Sequence, residues 1–391
     1  MPKAITIVES NDIQSYPPVI SLTQNLLENG HEVHLVGKSA SEIQIKASNM
    51  DRFHPYELQH YSGATAGKNI FTRIRNRKAL NEQIRILTAE AMSHSDILWT
   101  TSVNALRALG SNVLHYKHVM QLMELQRFCY QYKGHFRFPI DEYARKAFRV
   151  VVPEINRAYI TQVWWDLDNR PCVLPNKPYS VELEDPLEEM LPYLEKMACD
   201  TRISMLYLGG IFPDRDLRQF AEVAERQSDK YAFYIVGKPC NDKMRKYLND
   251  LLLQYPSTTY CGYYAPPHHL NFIQYAKIGL LPYKPVIADA LSELNALYCA
   301  PNKIFEYAAF GVPMIGSDVI GLQMPFQQYG IGKCTNLIAD CIEQTLDDMA
   351  PNLKQMSAAC KAYYESIDLN KLVADIIYDD NEGKSSLSDY I

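Results

Sequence analysis

The stretch that most constrains this chain runs from Pro301 to Ile315, Pro-Asn-Lys-Ile-Phe-Glu-Tyr-Ala-Ala-Phe-Gly-Val-Pro-Met-Ile, behind a strand-like run at Ile278 to Pro282. Proline in the first turn and glycine at 311 bound a short helix, and the apolar residues that follow read as the next strand. At 3.6 residues per turn, Asn302, Lys303 and Glu306 fall within an arc of roughly 100°, while Ile304, Phe305, Ala308 and Ala309 take the remaining faces. If those neighbours are core, the Glu306 carboxylate needs donors, because an unpaired buried charge is too costly. Hydroxyls of a bound ligand would supply them. The alternative is a surface pair of Lys303 and Glu306, worth about a few tenths of a kcal/mol and asking for no ligand.

The same alternation of strand and helix runs along the chain. Ala4 to Val8 reads as a strand leading into Glu9-Ser10-Asn11-Asp12; Pro17-Pro18 opens a helix through Leu22, Leu26 and Leu27 that stops at Asn29-Gly30, and His31 to Gly37 is the next strand. Further strands read at 95–99, 119–122 and 148–153. The pattern restarts at Ile203 to Leu208, which breaks into Gly209-Gly210, and continues at Tyr231 to Val236 with Gly237-Lys238 at its end. Such alternation predicts parallel sheets covered on both faces. With 391 residues the chain suits two domains of about 150 to 200 residues each. No Gly-x-Gly-x-x-Gly follows the first strand, which counts against a nicotinamide or flavin dehydrogenase.

Charge and cysteine usage narrow the classes. A net charge of -6 argues against a general nucleic-acid binder, which needs a cationic field. Nine cysteines without a Cys-x-x-Cys pair indicate neither a disulfide framework nor a zinc cluster and fit a reducing cytosol. The N-terminus enters directly as a strand rather than as a signal peptide, and no apolar run approaches the ~20 residues of a membrane span. Asp166-Leu167-Asp168 sits in a turn and His268-His269 lacks the spacing of a helical metal pair, so no metal site is read and the histidines are placed on the surface. Lys68, Arg73, Arg75, Arg77, Lys78 and Arg85 interleave with Ile70, Phe71, Ile74, Leu80 and Ile84. That basic 68–85 helix can lie on anionic lipid or be a solvated face.

Residues 301–315 resemble the donor-site helix of GT-B glycosyltransferases, above all the large family four of retaining enzymes, the group 1 type. The resemblance implies an α/β GT-B fold of two doubly wound Rossmann-like domains facing a central cleft. Residues 1–178 would form the acceptor-binding domain, 179–365 the nucleotide-sugar donor domain, and 366–391 a helix crossing back to the first domain plus a frayed tail. The opening βαβ unit with Gly-His-Glu-Val, and the Val173-Leu174-Pro175-Asn176-Lys177-Pro178 stretch before the crossover, are similar to the family as well.

It implies an enzyme that moves a sugar from a nucleotide-sugar, UDP-sugar first, to a hydroxyl of a glycan or lipid-linked glycan. It would do so with retention and without metal or other cofactor, in polysaccharide or glycoconjugate biosynthesis. Glu306 would hold the ribose, with Asn302 and Lys303 beside it on the stripe; Gly209, Gly210, Arg215 and Lys238 would meet the diphosphate, unless Asp214 and Asp216 tie Arg215 into a local pair. Tyr263 would lie by the nucleobase, and Tyr283, Asn295 and Tyr298 are candidates for the sugar, in a long loop from Tyr283 to Cys299. The family's usual pattern has a second glutamate where this chain has Tyr298, which bears on sugar contacts and stereochemistry. Glu124 is the acceptor-side candidate, as base or sugar ligand, or else a first-turn glutamate favouring a helix N-terminus. Asp12 and Glu9 are the other bases an inverting enzyme would draw on. The resemblance leaves room for a sugar-nucleotide epimerase or a non-catalytic partner subunit, and places the protein in the cytoplasm with peripheral contact at the inner face of the membrane.

Overall fold

Strands with apolar side chains on both faces must be covered on both faces, and the second half of the chain shows how this is done. In the computed structural model, which describes residues 1–43, 45–59, 69–131, 136–285 and 290–378, Leu206, Leu208, Ala232, Tyr234 and Val236 enter one buried cluster. Their strand neighbours Met205, Tyr207, Tyr231, Phe233 and Ile235 enter another on the opposite face. The chain packs as two compact units: residues up to Tyr179 together with the described residues from Asp368 on, and Ser180–Ile367.

The first unit holds β1 (Ala4–Asp12), β2 (Glu32–Lys38), β3 (Phe53–Glu57), β4 (Ile97–Thr100) and β5 (Lys117–Gln121). It adds the antiparallel pair β6 (Cys129–Gln131) and β7 (Phe136–Phe138), then β8 (Arg149–Val152) and β9 (Cys172–Val173). Its sheet is seven-stranded in the order β3-β2-β1-β4-β5-β8-β9, with every pairing parallel. The helix Leu369–Ile377 closes this unit by packing on the helix Pro17–Glu28. Leu369, Val373, Ile376 and Ile377 are buried, and the Asn25 and Asn29 amides each donate to Asn370 Oδ1 at 2.8 Å.

The second unit holds β10 (Ile203–Leu208), β11 (Tyr231–Val236), β12 (Thr258–Gly262), β13 (Ile278–Leu281), β14 (Met314–Ser317) and β15 (Gly332–Thr335). They form a six-stranded parallel sheet ordered β12-β11-β10-β13-β14-β15. The sheet is wound outward in both directions from β10, so the switch point lies between the ends of β10 and β13. Open α/β sheets bind ligands at that place.

Several local expectations change. The stretch from Tyr283 to Cys299 is not all loop, since Ala290–Leu297 is helical; residues 286–289 lie outside the described ones. Residues His268–Tyr275 form a 3-10 helix. After β5 no helix begins at Met123, and Glu124 sits on a bend, so a helix N-terminus does not account for it. The basic helix runs longer than read, Ile70–Met92, while Lys68 and the Ser385 to Asp389 tail lie outside the described residues.

Candidate functional site

The helix Asn302–Ala309 forms as its residues dictate. Pro301 takes the extended N-cap conformation, and Gly311 leaves the helix at φ +68°. Ile304, Phe305, Tyr307 and Ala308 are buried, whereas Asn302, Lys303 and Glu306 are only partly so, which is the stripe expected from the spacing. Tyr307 anchors the helix to the sheet. Its hydroxyl donates to the Leu206 carbonyl of β10 at 2.8 Å, and its ring lies so close over Gly279 of β13 that a Cβ there would come within 2.6 Å of it. The stripe is thereby held over the switch point.

Glu306 is nearly enclosed, with its side chain 12% exposed, and its Oε2 atom is buried without a hydrogen-bond partner. His269 Nε2 stands 3.6 Å from that oxygen, an ion-pair distance too long for a hydrogen bond. Burial by itself would raise the carboxyl's pKa; His269 and the Lys303 ammonium override it, and the net shift is downward. Lys303 is shifted down as well, first by burial and further by Arg215, against the opposing pull of Glu306. The expectation that His268-His269 is surface is therefore corrected. Leu270, Phe272 and Ile273 bury the 3-10 segment and turn His269 onto Glu306, while His268 Nε2 lies 3.5 Å from Glu184.

The Lys303 side chain lies across Gly209 at the end of β10. A Cβ on Gly209 would sit 2.2 Å from Lys303 Cε, and its φ of +134° is a backbone conformation L residues rarely adopt. Gly237, at the end of β11, is needed for another reason: a Cβ there would strike the Gly209 carbonyl at 1.8 Å. Tyr207 and Tyr260 pin these two turns, donating to the Gly210 and Gly237 carbonyls at 2.5 and 2.9 Å. The Gly209 N–H is already spent on the Val236 carbonyl at 2.9 Å, so an anion at this turn would draw on other donors.

Arg215 and Lys303 line a small open pocket together with Gly210, Phe212, Pro282 and Tyr283, among others. The Arg215 guanidinium pairs with Asp214 and stacks on the Tyr283 ring, 3.9 Å from its centroid. Asp216 instead faces Lys284 at 3.4 Å. Tyr283 is buried beneath Arg215, so its ring face serves to position that cation. Lys238 is exposed beside the pocket turns, its Nζ 5.7 Å from the centroid of the exposed Tyr263 ring. Tyr298 and Asn295 are both half-buried.

In the first unit, Glu9 is wholly buried and accepts from Thr101 Oγ1 at 2.8 Å, Ser102 Oγ at 3.0 Å, and the Asn11 N–H and Nδ2 at 2.8 Å. A carboxylate so engaged is an architectural acceptor, not a free base. Asp12 pairs with Lys38 at 2.5 Å. Glu124 is left as the exposed carboxylate of the three, 3.4 Å from Arg157, whose Nη1 also holds the Met123 carbonyl at 2.7 Å. Arg157 was missed from sequence and His269 was placed on the surface; for His269 the apolar residues directly after it were the available signal.

This geometry can be set against known proteins. No family model matches the chain, and no curated protein matches it by sequence. Among solved structures, Anabaena HepE in complex with UDP and glucose is similar over 96% of this chain and 98% of its own, with TM-score 0.63 and 9% identity. The chain has the GT-B fold. A glycosyltransferase from Rickettsia africae shares it with TM-score 0.59 and 14% identity over 96% of each chain. So does a putative UDP-N-acetylglucosamine 2-epimerase from Listeria monocytogenes, with TM-score 0.59 and 12% identity over 96% of each. At such identities the GT-B likeness speaks for architecture, and the chemistry has to be argued from the site.

Proposed function

We propose that this GT-B protein is a glycosyltransferase that binds a nucleotide-sugar, UDP-sugar first, in its second unit and transfers the sugar to a hydroxyl of a glycan or lipid-linked glycan. The observation that carries the reading is the buried Glu306 Oε2, which has no hydrogen-bond partner and lies at the switch point where ribose hydroxyls would satisfy it. Lys303, Arg215 and Lys238 supply positive charge for a diphosphate, and preorganised charge of this kind stabilises the leaving group as the sugar bond breaks. Tyr263 would take the base, and Tyr298 the sugar. The bond from the anomeric carbon to phosphate oxygen breaks as the bond to the acceptor oxygen forms. With retention, the departing phosphate accepts the hydroxyl proton on the same face, with no metal in the step. Glu124 is the acceptor-side group.

Peripheral contact with anionic lipid on the cytoplasmic side is part of this proposal. Phe71 and Ile74 are exposed on the helix Ile70–Met92 among the exposed Arg73, Arg75, Arg77 and Lys78, while Ile84 turns inward. Among the described residues no helix is long and apolar enough to cross a membrane.

Calorimetric titration of UDP and UDP-sugars into the wild type and Glu306→Ala, at fixed salt without metal, tests the donor site. A loss of at least about tenfold in the variant, about 1.4 kcal/mol, supports ribose on Glu306. Equal affinity in the two proteins refutes it. The Listeria neighbour favours one second reading, an epimerase. Turnover of nucleotide-sugar with no acceptor present would favour it over transfer.

A further inference from the structure

The two outer strands of the first unit's sheet carry a constellation that the reading above does not use. Glu32 and His34 are two residues apart on β2, so their side chains share one face of the sheet. His54 of β3 is the register partner of His34. His54 Nε2 lies 3.0 Å and His34 Nε2 3.4 Å from the same atom, Glu32 Oε1, and the three ligand atoms all fall within 4.8 Å of one another. The imidazole rings stack with centroids 4.7 Å apart.

A hydrogen-bonded trio would need neither ring nitrogen left over, yet His34 Nε2 is buried with no hydrogen-bond partner. The other nitrogen of that ring, Nδ1, is 3.3 Å from the Tyr56 hydroxyl. If Nδ1–H donates to Tyr56, the Nε2 lone pair faces Glu32 and His54; metal-bound histidines commonly give their second N–H to an oxygen in this way. Ligands held about 2.0–2.1 Å from a tetrahedral ion stand about 3.3–3.4 Å apart along each edge. The two measured edges are close to that figure.

A divalent ion accepts two stacked imidazoles as neutral ligands beside one carboxylate. Glu32 and His54 are 45% and 40% exposed, which leaves the position reachable from solvent, while His34 forms its inner wall. His94 also stacks on His34, with ring centroids 6.1 Å apart, and water would complete the ion's shell.

We propose that Glu32, His34 and His54 form a binding site for a divalent transition ion of the zinc class, joining β2 to β3 at the edge of the sheet. Two imidazoles and one carboxylate suit zinc, nickel or copper and not magnesium or calcium, which prefer all-oxygen shells. The ligands sit at the start and middle of β2, away from the carboxyl ends of the strands, so the ion braces the edge pair and takes no part in sugar transfer.

The test is calorimetric titration of zinc into the full chain after chelator treatment, repeated on His54→Ala and Glu32→Gln. Expected are one zinc per chain at this site, affinity reduced at least about tenfold in each variant, and no comparable heat with magnesium. Cobalt in place of zinc should give visible absorption bands of a four-coordinate nitrogen and oxygen site, lost in His54→Ala. Absence of zinc binding by the wild type overturns the proposal. So does zinc binding unchanged in both variants, which would place the ion on other residues. UDP titration of the same variants should match the wild type, since the site is independent of the donor pocket.

Discussion

Replacing Gly209 with alanine separates backbone strain from side-chain placement. At φ +134° a Cβ costs about 1–3 kcal/mol for the conformation alone. For a unit of this size, each kcal/mol lowers the melting temperature by roughly 2–4 °C. The new methyl would also lie 2.2 Å from Lys303 Cε and 2.7 Å from Nζ, but the far end of a lysine can swing away. The clash should therefore displace the Lys303 amine from the pocket and add little to the loss of stability.

Urea denaturation and UDP titration of Gly209→Ala, Lys303→Ala and the double variant read the two effects apart. The stability cost of Gly209→Ala should be the same in both backgrounds to within about 0.5 kcal/mol. Its cost in UDP affinity should vanish once Lys303 is already alanine. A stability cost that disappears with Lys303 would show that the clash, not φ, carries it. Affinity losses that simply add would show that Gly209 does not act through Lys303.

Tyr307→Phe removes the hydroxyl donated to Leu206 and should cost about 1 kcal/mol in urea denaturation, with UDP affinity reduced as the helix loosens. Gly279→Ala should destabilise by about 1–3 kcal/mol, because its Cβ meets the Tyr307 ring; equal stability in urea would contradict that packing. His269→Ala takes away a group that holds the Glu306 pKa down, so the carboxyl should protonate at higher pH, as read by carboxyl NMR titration. In the wild type the ionised carboxylate contributes stability above the ordinary carboxylate range, and this is lost only as pH falls below that range; the variant should lose it earlier. Asp200, held near pKa about 2 by Arg202 and despite its partial burial, contributes stability above pH 3.8 that fades as pH falls toward 2. Asp200→Asn should flatten the acid-denaturation curve over that interval.

The helix Asn302–Ala309 was legible because its signals are local: a proline start, a glycine stop, and a polar stripe at helical spacing among apolar residues. Many of the parallel strands were legible as apolar runs of fitting length, whereas β3, β9 and β15 were not. What escaped depends on distant pairings. His269 reaches Glu306 only because a 3-10 segment is buried along Leu270, Phe272 and Ile273, and a histidine pair in a proline-rich turn carries no periodicity that says so. The strand β3, Phe-His-Pro-Tyr-Glu, has a proline and polar residues, as edge strands allow, and so hid the partner of His34. The commitments of Glu9 to Thr101 and Ser102 span some ninety residues and need the fold before they can be seen.

The helix Leu369–Ile377 belongs to the first unit although it is reached only after the whole second unit has been made. During synthesis the second unit can close while the first still waits with an apolar face uncovered along Pro17–Glu28. Nascent chains released or stalled shortly before residue 368 should therefore expose a sticky first half beside a finished second half. That makes the closing helix the step at which a chaperone would be expected to let go.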